Sequence, residues 1–292
     1  MPENNAAAGK RASPSVPQPL RVGWFSTGRG EGSRNLLQAA LRAIRDGHLP
    51  AEIAFIFSNR EHGEFEATDR FFVDVAASGI PLITLSDRRF RRASAGEVAR
   101  KGAPLPAWRV EYDRAVVAAL EPYGCDIAML AGYMLISTAP LFSWRPLLNL
   151  HPAAPGGPAG TWQDVIWQLI DRQAERSGVR IHLSTAELDE GPIVTYCTYP
   201  LRGPGIDDLW STTGARSIQD LRNGEGEALP LFQEIRRRGA AREAPLVIET
   251  LRAFASRRLR VVGDSLCEGS TPLARGFDLT PEIEATLAST VA

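Results

Sequence analysis

Cysteine and histidine are scarce in this chain, three and four among 292 residues. Cys125, Cys197 and Cys267 are far apart, odd in number and in no CxxC pattern, so a reducing cytoplasm is the expected compartment. His48, His62, His151 and His182 make no HxH or HxxxH pair, and no metal site is expected. Long apolar runs are missing too. None approaches the roughly twenty residues of a membrane span. Lys10 and Arg11 are followed by no apolar stretch, so a secretory signal is not expected either. Charge of one sign is also lacking. With 33 basic and 34 acidic residues the net charge is -1, which offers no field to gather nucleic acid or an acidic membrane. The expected partners are small-molecule substrates, with no nucleic acid and no membrane. The oligomeric state is left open.

What is present is a globular composition, 44% hydrophobic, with strand and helix patterns in alternation. Residues 1 to 18 are rich in Ala, Pro, Ser and Asn and read as a disordered tail. Strands are expected at Leu20 to Phe25, Glu52 to Phe57, Ile80 to Leu85 and Asp126 to Ala131. Helices are expected across Asn35 to Arg45, Phe65 to Ala77 and Glu111 to Leu120, with 86 to 110 mostly loop. This order predicts an α/β fold with a doubly wound, mostly parallel sheet over residues 19 to 205. Residues 206 to 265 read as a C-terminal helical extension, with helices at Leu229 to Arg238 and Ala244 to Ala255. Residues 266 to 292 read as a loose tail with a short helix near Pro281.

A glycine-rich turn, Ser26 to Asn35, joins the first strand to the first helix. Backbone N–H groups at such a turn favour an anion, and glycines let it come close. A plain tight turn is the alternative. A dinucleotide is disfavoured: the spacing is G-x-G-x-G, and the second strand ends in Ser58-Asn59 without an acidic residue. A phosphate monoester fits better. Gly28, Gly32, Ser33 and Asn35 are the candidate contacts, with Arg29 or Arg34 as charge partners.

Two further segments carry chemistry. Leu147-Leu148-Asn149-Leu150 runs into His151-Pro152, and about forty residues on, a strand leads into Glu187-Leu188-Asp189-Glu190-Gly191-Pro192. Side chains two apart on a strand point the same way, and Pro152 ends the pairing. Asn149 and His151 therefore share a face at a strand end, and Asp189 sits in a turn able to fold back toward them. Each alone is an ordinary turn or strand-end residue. Together an amide, an imidazole and a carboxylate suit acyl transfer to an amine. The amide donates to a developing oxyanion, the imidazole moves protons and the carboxylate orients it and raises its pKa. His182 reads as a buried structural histidine.

In these segments the chain resembles the folate-dependent formyltransferases, most nearly the phosphoribosylglycinamide formyltransferases of the purine pathway. The matching pieces are the Gly-Ser-x-Asn turn before Leu36-Leu37, Phe55-Ile56-Phe57-Ser58-Asn59, Leu130-Ala131-Gly132-Tyr133-Met134, and Asn149-Leu150-His151-Pro152 with Glu187 to Ile193. The resemblance runs from about residue 20 to 200 and implies 10-formyltetrahydrofolate as donor, with Asn149, His151 and Asp189 as the catalytic trio. It further implies a folate pocket at Leu130, Tyr133, Met134, Leu135 and Ile136, with Ser184, Glu187 and Leu188 supplying groups to the pterin, and Pro152 beside the acceptor. The Leu130 to Ile136 run also reads as plain core. Departures are Ala153-Ala154-Pro155 after His151-Pro152, Gly160 to Asp164 where relatives carry a histidine, and Leu135 where a basic residue is usual. The implied activity is N-formyl transfer to glycinamide ribonucleotide. A formyltetrahydrofolate deformylase, a formyltransferase for another amine and a binding-only homologue are the alternatives.

Overall fold

The computed structural model describes residues 18–100, 103–214, 216–263 and 265–291. The tail expected at the start of the chain lies, but for residue 18, outside them. The strands are β1 (Leu20–Phe25), β2 (Ala51–Ser58), β3 (Leu82–Thr84), β4 (Ile127–Leu130), β5 (Leu147–His151), β6 (Arg176–Leu183), β7 (Ile193–Pro200), β8 (Leu259–Val262), β9 (Ser265–Glu268), β10 (Thr271–Pro272) and β11 (Phe277–Asp278). Eight form one sheet in the order β11-β7-β6-β5-β4-β1-β2-β3, and β8 to β10 form a small second one. Strands β1 to β5 pair in parallel, whereas β6 is antiparallel to both β5 and β7. The mostly parallel, doubly wound sheet expected from the sequence is present.

The helices are α1 (Glu31–Arg45), α2 (Glu66–Ser78), α3 (Asp87–Ala93), α4 (Trp108–Leu120), α5 (Ala139–Phe142), α6 (Trp162–Asp171), α7 (Asp207–Thr213), α8 (Ile218–Asn223), α9 (Pro230–Ala255) and α10 (Thr280–Val291). Strand alternation sorts the core into two faces. Val22, Trp24, Met129 and Leu148 pack with α1, α2 and α9, while Phe25, Ala128, Leu130 and Leu147 pack with α4. A third cluster joins α6, α7 and α8 to the first turns of α9 through Trp167, Trp210 and Phe232.

Two expectations are corrected and one is refined. Residues 86 to 110 are mostly loop, as expected, but they also hold α3, which buries no side chain and so shows no apolar periodicity, and whose N-cap Ser86 accepts from the Arg89 N–H. The two C-terminal helices are one, α9, despite Pro245. Its apolar face runs on through the proline, with Leu231, Phe232 and Ile235 packed on α6 to α8 and Leu246, Val247 and Leu251 on the sheet, so the expected C-terminal helical addition is also a layer of the core. Residues 266 to 292 are not loose: β9 and β10 complete the small sheet, β11 pairs in parallel with β7, and Leu279 and Ile283 of the α10 region are buried.

Leu246 is wholly buried between α9 and the sheet. Leu246→Ala is expected to lower the global unfolding free energy by about 2–5 kcal/mol. Denaturant unfolding would show the main transition shifted. A separate early transition with the main one unmoved would mean that α9 is an appendage after all.

Candidate active site

The strand order turns back between β1 and β4, and in open α/β sheets ligands bind outside the carboxyl ends at such a reversal. A cavity of about 830 Å³ opens there. Its walls come from the β1–α1 turn (Arg29, Gly30, Gly32, Ser33), the chain after β4 (Gly132, Tyr133, Met134), the end of β5 and the residues after it (Asn149, Leu150, His151, Pro152), the start of α6 (Trp162, Gln163), Asp189, and Arg236 and Glu243 of α9. A second cavity of about 470 Å³ adjoins it, sharing Met134, with Leu135, Ile136, Trp108 and the α3 arginines Arg88, Arg91 and Arg92 on its walls.

The antiparallel register between β5 and β6 builds the polar centre. Asn149 stands opposite His182, and His151 opposite Arg180. Period-two alternation puts all four on one face. Asp189 then comes in from the turn after β6 with φ +59, in the left-handed region, where a non-glycine residue needs outside support. Its carboxylate lies 3.6 Å from His151 Nδ1 and 3.7 Å from His182 Nε2. Asn149 Nδ2 sits 3.2 Å from His182 Nε2 and donates to Asp189 Oδ1 at 3.5 Å. His182 Nδ1 donates to the Leu183 carbonyl at 3.0 Å, which leaves Nε2 to accept from Asn149. His182 is thus buried, as expected, but it belongs to the polar centre. The sequence signal was an arginine and a histidine two apart on one strand, mirroring Asn149 and His151 on its neighbour.

His151 is 3% exposed. Its Nε2–H donates to the Pro158 carbonyl at 3.0 Å, so in the neutral ring Nδ1 carries the lone pair on the Asp189 side. Burial pushes the His151 pKa down. The Pro158 carbonyl and the Asp189 charge pull it up, the Arg180 and His182 charges push it down, and the net shift is downward. The raised pKa expected from an Asp189 contact is therefore corrected: Asp189 acts in that direction but is outweighed. Burial also presses the Asp189 carboxyl upward, but the neighbouring His182 and His151 rings and the Gly160 N–H more than offset it, and the net shift is downward, so Asp189 stays ionised.

The remaining candidates divide. Gly32, Ser33, Pro152, Tyr133 and Met134 line the main cavity, and Leu135 and Ile136 the second. Gly28 does not: it is a buried turn glycine at φ +66 against the Phe71 ring. Asn35 is exposed on α1 outside the cavity, and Arg34 is held by Asp74 at 2.7 Å. Leu130 is core. Ser184 N–H is spent on the Leu147 carbonyl, and Glu187 and the 54% exposed Leu188 line neither cavity. Ser58-Asn59 is scaffolding. Asn59 accepts from Thr27 and donates to Asp87, while Thr27 Oγ1 accepts from Met134 N–H, tying together the ends of β1, β2 and β4. Of the Arg236 to Arg238 run, Arg237 and Arg238 pair with Glu234, while Arg236 pairs with Glu243 at 2.6 Å, lies over the Trp162 ring and stands on the cavity wall.

Gly191 is what lets the Asp189 turn close. A Cβ there would collide with the Leu183 carbonyl oxygen, next to the Leu183 N–H to Pro192 carbonyl bond of 2.9 Å. Gly191→Ala is expected to open that bond and raise amide exchange at Leu183 at least about tenfold. Unchanged protection would show that the turn adapts without moving Asp189.

The same segments are those shared with known proteins. The family model described as formyl transferase matches residues 29–201. The phosphoribosylglycinamide formyltransferase of Escherichia coli (strain K12) is 27% identical over 184 residues, 62% of this chain and 74% of that protein. The formyltetrahydrofolate deformylase of Bacillus subtilis (strain 168) is 30% identical over 150 residues, 51% of this chain and 41% of that one. Among solved structures, glycinamide ribonucleotide transformylase 1 from Symbiobacterium toebii shares the fold, with a TM-score of 0.60 at 23% identity over 89% of this chain and 98% of that one. Over half of its length matches the family model, and the matched segment holds Asn149, His151 and Asp189: the chain belongs to the formyl transferase family.

Proposed function

We propose that this protein transfers a formyl group from 10-formyltetrahydrofolate to the amine of a small phosphorylated acceptor, glycinamide ribonucleotide being the foremost candidate. The observation that carries this reading is the meeting of Asn149, His151 and Asp189 at a cavity that also receives the N-terminus of α1. That N-terminus has no side-chain cap at Gly30, so its first N–H groups are free for an anion beside Arg29 and Arg236. The second cavity suits the donor. Met134, Leu135 and Ile136 offer an apolar lip for a flat ring, and Arg88, Arg91 and Arg92 face the carboxylates of a glutamyl tail.

The chemistry needs a donor for charge on the formyl oxygen and a carrier for the amine proton. Asn149 Nδ2 is the donor, and the 3.5 Å bond to Asp189 is the one a substrate oxygen would replace. Neutral His151, with its lone pair on Nδ1, takes the proton from the attacking amine and returns one to the departing nitrogen. Asp189, kept ionised, stabilises the imidazolium while it lasts.

Because the His151 pKa is lowered, the acidic limb of the kcat/KM profile is expected below the ordinary histidine value of about 6.5. Asp189→Asn removes an upward pull and is expected to move that limb lower still and to slow turnover. A limb that stays in place would separate Asp189 from His151. His151→Ala is expected to cut turnover by about 10²–10⁴, and more than about a tenth of the wild-type rate remaining would remove His151 from the mechanism.

The 30% identity to a deformylase makes water the rival acceptor. The two are separated by following release of tetrahydrofolate from the formyl donor with and without glycinamide ribonucleotide. Amine-dependent release is expected. Rapid release without any amine would make the protein a hydrolase, and dependence on a different amine would keep the chemistry and replace the acceptor.

A further inference from the structure

Arg180 is 5% exposed in the interior of β6. A guanidinium is costly to bury unless its N–H groups are matched. Here Nη1 donates to the Ala154 carbonyl at 2.7 Å and, more weakly, to the Ala153 carbonyl at 3.5 Å, and Nη2 donates to the Asp189 carbonyl at 3.1 Å. One fork therefore joins two otherwise separate pieces of chain: the segment leaving β5 just past His151, and the turn that carries Asp189. Asp189 is the residue held at φ +59, and Arg180 bonds to that residue's own carbonyl. The acceptors are neutral carbonyls, so they satisfy the N–H groups without cancelling the charge. That charge sits on the cross-strand neighbour of His151.

We propose that Arg180 is a positioning residue of this site: its guanidinium pins the Asp189 turn to the chain leaving His151 and, as a fixed buried cation beside that imidazole, keeps the ring neutral and ready to accept a proton. The other groups facing the ring are Asp189 from its turn, His182 from β6 and the Pro158 carbonyl from the loop after β5. Arg29, Glu227, Arg236 and Glu243 stand around the same cavity. Of these, Asp189 favours the imidazolium and Arg180 opposes it, in line with the direction of the His151 shift.

The inference rests on His151 as the proton carrier, but its main readout needs no substrate. The ring of His151 is titrated by NMR in histidine-labelled protein, its signal assigned by its loss in His151→Asn. The wild-type midpoint is expected below about 6.5. Arg180→Gln, which keeps an N–H donor and drops the charge, is expected to raise the midpoint by on the order of one pH unit, with the acidic limb of kcat/KM following it. Arg180→Lys, which keeps the charge and loses the fork, is expected to hold the midpoint within a few tenths of a unit while kcat falls about tenfold or more. A wild-type midpoint at or above 6.5, or an unmoved midpoint in folded Arg180→Gln, overturns the electrostatic role. Wild-type kcat in Arg180→Lys overturns the pinning. Should Arg180→Gln fail to fold, the wild-type and Arg180→Lys titrations decide. If no amine accepts a formyl group, the proposed function falls while the titration still reads Arg180.

Discussion

Backbone hydrogen bonds between β5 and β6 set the register on which the polar centre depends. In that ladder Asn149 faces His182 and His151 faces Arg180. A slip of one residue in β6 would turn Arg180 and His182 to the opposite face of the sheet, into the layer where Leu148, Ile181 and Leu183 pack, and away from Asn149 and His151. The register is held from both sides. The flanking apolar residues fix which face is buried, and β7 pairs along the whole outer edge of β6 from Arg176 to His182. An antiparallel ladder sets residues directly opposite one another, and here that brings Asn149 against His182 and His151 against Arg180.

The site also balances opposed charges at close quarters. A carboxylate, two imidazoles and a guanidinium converge with little water between them, since His151, Arg180 and His182 are each 5% exposed or less. Low polarity magnifies every one of these interactions. The result is a ring whose protonation is contested and therefore responsive, beside a carboxylate that remains charged. Such a setting suits a group that must take up and surrender a proton within one catalytic cycle.

Much of this was legible in the chain, and the illegible parts share a physical reason. Asn149 and His151 could be assigned to one face because period two is a local rule, and the Asp189 turn is bracketed by Gly191 and Pro192. The shared face of Arg180 and His182 was legible in their spacing of two, but their part in the site depends on which strand lies opposite, which no local pattern encodes. Helix α3 was missed because it buries nothing, and α9 was split because Pro245 outweighed an apolar face that continues past it. Leu130, Ser184, Glu187 and Leu188 were placed by the family resemblance alone, which carries no packing. On β4, alternation sends Leu130 to the opposite core, and Ser184 is tied to β5.

One feature of the architecture bears on how such a protein could change over time. The amide, imidazole and carboxylate all lie within residues 29–201, the stretch matched by the family. One wall of the same cavity, with Arg236 and Glu243, comes from α9, beyond that stretch. Reactive centre and outer wall are thus encoded by separate lengths of the gene and meet only through packing against the sheet. Drift in α9 can remodel the mouth of the cleft, and hence what enters it, while the groups that would move the proton are inherited untouched.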